Sequence, residues 1–265
     1  MVAASASLMS AYILENFHYS IIKLYTLLVV VFYTGAANAF NDYCDYEIDL
    51  INRPNRPLSR GLLNSNEALL FSIILFIVGS LVTLLLPLKA IIVSVGLALP
   101  LIIIYSLRLK GIPIIGNMVV SIILGLSFIF FGLSHGNINP MIIPSILAFG
   151  LTMLRELIKD IADIEGDKEN NLKTLPIVIG EEKSIFVSYS FIFIIGFGSL
   201  MPYYFNIYGN YYLILLIAGV EVPLVIIVYY FMKLPLTSSA KKSSNLLKFS
   251  TIAGLIAIFT DHYVS

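Results

Sequence analysis

Two short stretches hold most of this chain's capacity for chemistry. The first reads Asn41-Asp42-Tyr43-Cys44-Asp45-Tyr46-Glu47-Ile48-Asp49 and the second Asp160-Ile161-Ala162-Asp163-Ile164-Glu165-Gly166-Asp167. In each, three aspartates fall at i, i+3 and i+7. At about 100° per residue these positions span an arc of roughly 60°, so a helix would stack the carboxylates on one face. Such a stack repels itself, and at a helix C-terminus it also meets the negative end of the macrodipole. Hard divalent cations offset both costs. Mg²⁺ in particular is held by one or two carboxylates together with phosphate oxygens of a substrate and some of its own waters. Asn41 would add a neutral oxygen ligand beside the aspartates.

Basic residues surround both stretches. Asn52-Arg53-Pro54-Asn55-Arg56-Pro57 follows the first, with Arg60 near; Arg155 and Lys159 precede the second, and Arg108 and Lys110 close another apolar block. Guanidinium and ammonium groups beside carboxylate-held cations suit a diphosphate, whose charge both can share. Twelve of the 16 acidic residues lie in the windows 42–49 and 156–182. One acidic cluster alone is most often solvated loop. Two with the same spacing, on one side of a membrane, are not. Other features carry less: Lys241 and Lys242 fit ordinary topology sorting, His135 a loop, Cys44 a small buried thiol, and Gly35-Ala36-Ala37-Asn38-Ala39 close helix packing.

The elements that position these groups are membrane helices. The chain has 265 residues, 58% hydrophobic and 12% charged, with a mean hydropathy of +0.93; soluble domains are about 25% charged. The composition excludes a water-soluble helical bundle. With one cysteine, no intrachain disulfide can form. Nine apolar blocks, at 1–14, 20–44, 66–87, 89–107, 113–133, 140–161, 184–204, 211–232 and 246–264, predict an all-α integral membrane protein. The first is expected to be an N-terminally truncated helix, since 14 residues rise only about 21 Å against a hydrocarbon core of about 30 Å. One transmembrane domain is expected over 1–265, as two pseudo-repeated four-helix units plus one helix around a central cavity. The motifs end blocks two and six, four helices apart. The loops after blocks two, four, six and eight, with adjoining helix ends, hold 14 of the 16 basic residues. The positive-inside rule places that side, and both motifs, in the cytoplasm.

At these residues the chain resembles the UbiA-type intramembrane prenyltransferases. That family carries N-D-x-x-D-x-x-x-D on its second helix, matched by Asn41, Asp42, Asp45 and Asp49, and D-x-x-x-D on its sixth, matched by Asp163 and Asp167. The resemblance implies two Mg²⁺ ions, held by Asn41, Asp45, Asp163 and Asp167, with Asp42, Asp49 and Asp160 as further catalytic residues. It implies diphosphate contacts from Tyr105, Arg108 and Lys110, to which the basic flanks Arg53, Arg56, Arg155 and Lys159 are added. The flanking segments Asn52 to Leu58 and Arg155 to Asp167 resemble the archaeal ether-lipid branch of the family. The expected reaction is then transfer of a geranylgeranyl group from its diphosphate to the hydroxyl of geranylgeranylglyceryl phosphate, forming a second ether bond. The expected partners are a prenyl diphosphate, a lipid-like glyceryl phosphate and membrane lipid, with neither nucleic acid nor an obligate protein partner. The family's Arg-containing start of helix one is absent. An aromatic acceptor of quinone or chlorophyll type, or a cation-coupled transporter using intramembrane carboxylates, are the alternatives. A CDP-alcohol phosphotransferase lacks its Asp-Gly…Ala-Arg run here.

Overall fold

In the computed structural model, residues 20–264 are described, together with Ser10 and Ile13. Block 1–14 thus lies, apart from those two positions, outside the described residues. Eight helices are long and apolar enough to cross a membrane: α1 (Ile21–Cys44), α3 (Ser65–Thr83), α4 (Leu88–Leu109), α5 (Ile115–Ser134), α6 (Asn139–Ala162), α9 (Glu181–Tyr204), α10 (Asn210–Lys233) and α11 (Leu236–Val264). Short helices α2 (Tyr46–Asn52), α7 (Ile164–Glu169) and α8 (Leu175–Ile179) complete the set, and no strand occurs among the described residues.

Local chemistry sets several boundaries. The Ser20 hydroxyl accepts from the Ile22 amide and caps α1. The Glu67 carboxylate accepts from the Asn64 amide at the start of α3, one half of a capping box. Seven of the expected spans agree with the helices to within a few residues; the last does not. Residues 236–245 are too polar to read as a span, yet α11 begins at Leu236. The reason is that its serines face inward. Ser239 and Ser243 are fully buried, and Ser239 donates to the Tyr230 carbonyl at 2.8 Å. Small hydroxylated residues let helices pack closely in a membrane.

α6 joins the two parts of the bundle. Its Leu154, Ile158 and Ile161 pack with Leu216 and Leu224 of α10 and Leu247 of α11. Its Ala148 packs with Val29 and Val30 of α1 and with Phe128 and Phe131 of α5. The outward faces are apolar too: Leu70, Ile74, Ile77 and Leu81 form an exposed stripe along α3. An exposed apolar surface of that extent is what lipid, rather than water, covers.

Two segments of α4, Ile92–Ala98 and Tyr105–Leu109, are π-helical. In the second, the Lys110 amide reaches back five residues to the Tyr105 carbonyl. Such wide turns shift the side-chain register locally and recur at functional sites.

Candidate active site

The two aspartate motifs share one local architecture, which differs from the expected single helical face. α1 breaks at Asp45 and resumes as α2; α6 breaks at Asp163 and resumes as α7. The middle aspartate of each motif is the joint, with φ −94° and ψ 9° at Asp45 and φ −102° and ψ 9° at Asp163. The backbone ladder nevertheless runs on. The Asp45 amide donates to Asn41 O at 2.8 Å and the Asp163 amide to Lys159 O at 3.0 Å, while Asp49 and Asp167 donate to the carbonyls of the two joint residues. The axis bends once in each motif, so α2 and α7 fold over the bundle end and touch each other.

The motifs face one small cleft of about 40 Å³. Asp49 and Arg53 line it from the first motif and its flank, Tyr105 and Lys110 from α4 and its end, and Lys159, Asp160, Asp163 and Asp167 from the second. Most of the motif carboxylates have a basic or amide partner. Lys110 pairs with Asp45, which also accepts from Asn41 Nδ2 at 2.6 Å. Arg56 pairs with Asp42 and with Asp49 at 2.5 Å. Arg53 lies between the motifs, 4.0 Å from Asp49 and 3.8 Å from Asp163. Burial, then the neighbouring Asp163 charge, raise the Asp167 carboxyl to about 6, against the opposing pull of Lys110 and Lys159.

The structure separates some expected site residues from this cleft. Arg108 is exposed and lines an outer depression with Asp45, Lys110 and Lys173. Asp45 likewise lines the outer depression and meets the cleft through Lys110; Asn41 stands behind Asp45, and Asp42 and Arg56 stand behind Asp49. Arg155 opens into a different cavity. Conversely, the cleft contains groups that spacing did not single out. Asn117 of α5 donates to Asp160 at 2.8 Å. Glu156 accepts from Arg155 at 2.5 Å and Lys159 at 3.2 Å. An amide and a carboxylate inside otherwise apolar helices were the available signals.

The residues suit Mg²⁺. The donors are hard carboxylate oxygens from both motifs, balanced by cations. No group of three acidic, histidine or cysteine side chains forms a closed cage among the described residues, which fits an ion that takes one or two carboxylates and leaves the rest of its shell to phosphate and water.

Beyond the cleft lies an apolar cavity of about 410 Å³, walled by α1, α4 and α5 through Val30, Tyr33, Ala37, Ile102, Ile123 and Phe130. Glu156 lines both spaces, so a charged cleft and a greasy chamber adjoin at one side chain.

Comparison with known proteins agrees with this geometry. Residues 2–252 match the model of the UbiA prenyltransferase family. The chain is 39% identical over 258 residues to the digeranylgeranylglyceryl phosphate synthase of Methanosphaera stadtmanae, covering 97% of this chain and 92% of that one. It is 35% identical over 238 residues to the synthase of that name from Pyrococcus furiosus, covering 89% and 84%. A solved digeranylgeranylglyceryl phosphate synthase superposes with a TM-score of 0.79 at 31% identity, over 99% of this chain and 94% of that one. A UbiA homolog from Archaeoglobus fulgidus, bound to DMAPP and Mg²⁺, shares the fold at a TM-score of 0.71 and 19% identity, over 97% and 94%.

Proposed function

This chain belongs to the UbiA prenyltransferase family, and from that premise we propose that it transfers a geranylgeranyl group from geranylgeranyl diphosphate to the hydroxyl of geranylgeranylglyceryl phosphate, with Mg²⁺ as cofactor. The observation that carries the reading is the pair of aspartate-jointed helices closing on one basic cleft beside an apolar cavity. The choice of acceptor is supported by the named relatives, digeranylgeranylglyceryl phosphate synthases that align with nearly the whole chain.

Asn41, Asp45, Asp163 and Asp167 are the groups that would hold Mg²⁺, two ions in all, with Asp42, Asp49 and Asp160 completing or orienting the site. Bound there, the metal supplies Lewis-acid charge to a leaving diphosphate. In the ion-paired cleft, Lys110, Arg53 and Arg56 act as counter-ions of the aspartates. Each can exchange a carboxylate for a phosphate oxygen once the carboxylate is otherwise neutralised. The cleft thereby opens from its compact state and presents Arg53, Lys110, Lys159 and the Tyr105 hydroxyl to the donor's diphosphate. These donors favour charge growing on the leaving group as the allylic C–O bond breaks. The walls of the cavity hold the prenyl chain and exclude water that would intercept the allylic cation. The acceptor hydroxyl then attacks the prenyl carbon, forming the ether bond, and its proton passes to the released diphosphate. The basic loops at this end of the helices support a cytoplasmic site.

The test is an acceptor panel. The full chain in liposomes, with labelled geranylgeranyl diphosphate and Mg²⁺, is offered geranylgeranylglyceryl phosphate, a hydroxybenzoate, a naphthoate and a chlorophyllide. A diether product from the first alone is the expected result, lost on chelating the metal. Prenylation of an aromatic acceptor instead would reassign the chain to another branch of the family.

A further inference from the structure

The cavity has a second charged wall that the donor chemistry leaves unused. Arg155 of α6 and Lys248 of α11 both line the 410 Å³ chamber, with the hydroxyls of Thr152 and Thr251 beside them. By spacing alone Arg155 belongs with the diphosphate residues and Lys248 with the basic residues of a helix end. The structure moves both. α11 begins at Leu236, so Lys248 lies 12 residues, about 18 Å, along a helix roughly 43 Å long. A lysine at that depth in a spanning helix is costly and usually functional. Lys248 is exposed and has no ion-pair partner among the described residues. Arg155 shares Glu156 with Lys159, and its Nε is buried with no hydrogen-bond partner. Neither cation faces the aspartate cleft. Glu156 stands between the two sets, turned to Lys159 on the cleft side and to Arg155 on the cavity side.

We infer that Arg155 and Lys248 form a separate anion site for the phosphate monoester of the acceptor, distinct from the site of the donor's diphosphate. Building on the function proposed above, this assigns the acceptor end of the reaction to named residues. A phosphate monoester carries nearly two negative charges at neutral pH and three strong acceptor oxygens. Two cations and the Thr152 hydroxyl in an apolar chamber match it, the Thr251 hydroxyl being bonded to the Leu247 carbonyl at 2.9 Å, while the adjoining walls suit the acceptor's own prenyl chain. An acceptor anchored there presents its glycerol hydroxyl toward Glu156 and the cleft beyond. An uncharged acceptor would leave Lys248 without an anionic partner and Arg155 with Glu156 alone, which makes the pair a specificity device.

Initial rates of the full chain in liposomes separate the two anion sites. Donor and acceptor concentrations are varied for wild type, Lys248→Met, Lys248→Arg and Arg155→Lys, with geranylgeranylglycerol as a phosphate-free acceptor. Losing one charged contact should raise the acceptor KM about tenfold or more for Lys248→Met and leave the donor KM unchanged. The same variant should lose most of the wild-type preference for the phosphorylated acceptor, and Lys248→Arg should retain it. Arg155→Lys, which keeps the charge that balances Glu156 but loses the planar fork, should shift the acceptor KM alone. A rise in donor KM with acceptor KM unchanged, or an unaltered preference in Lys248→Met, overturns the site. A wild-type enzyme that uses no glyceryl acceptor overturns the function itself, a readout taken before any variant is made.

Discussion

Aspartates of both motifs are held by cations that must also release them. Lys110 on Asp45 is the sharpest case, a buried carboxylate against a half-buried ammonium. Asp45→Ala and Asp163→Ala should each lower turnover by at least about a hundredfold, the scale of losing charge stabilisation at a leaving group. Labelled prenyl transfer reads the loss, and thermal unfolding in detergent shows whether the fold survives. Retained turnover in either variant would sink the assignment of these residues to the metal. Asn117 makes a subtler claim. Its amide holds one oxygen of Asp160 inside the bundle. Asn117→Leu removes that donor and leaves a buried carboxylate short of a partner, a cost of about 1–3 kcal/mol. The expected result is a lower melting temperature together with a fall in kcat, and Asn117→Gln should restore neither because the longer side chain displaces the amide. An unchanged kcat in Asn117→Leu would make the contact purely a matter of packing.

The aspartate spacing was legible as a helical pattern; the break within it was not. A helix and a helix bent at its middle residue share the same i, i+3, i+7 register, because the amides at Asp45 and Asp163 still bond four residues back. What separates them is a change of axis at one residue, and no residue type encodes it: neither joint is glycine or proline. The π-helical stretch before Lys110 was hidden for the same reason, since no residue type in Tyr105 to Leu109 encodes the wider turn. Its consequence is visible at Gly116. A Cβ there would lie 2.8 Å from Leu109 O and 3.0 Å from Lys110 O, so α5 approaches the end of α4 more closely than any side chain allows. Gly116→Ala should therefore push back the backbone that carries Lys110. Overpacking of this kind typically costs about 1–3 kcal/mol. A higher donor KM should accompany the lower melting temperature, and a donor KM equal to wild type would disconnect this approach from the diphosphate end.

Across the whole molecule, the hydropathy pattern located all eight described spans but began the last one ten residues late. Hydropathy reads side chains as if all faced lipid, whereas Ser239 and Ser243 face neighbouring helices. That late start also hid Lys248, whose depth follows only from where α11 starts. The chamber itself could not be read in advance, because its walls come from helices far apart in the chain and apolar residues carry no label for what they face. On the function proposed, donor length is set by this chamber. Ala37 sits on α1, within the wall shared by Tyr33, Ile102 and Phe130, and a phenyl ring placed there occupies space that a long isoprenoid chain would need. Ala37→Phe should keep the cleft intact and shorten the tolerated donor. Dispersion and burial contribute about 0.8 kcal/mol per buried methylene, so losing room for even one isoprene unit should shift the preference between geranylgeranyl and geranyl diphosphate by tenfold or more. Competition between the two labelled donors measures that ratio directly. If Ala37→Phe leaves it at the wild-type value, the prenyl chain of the donor runs elsewhere than along α1.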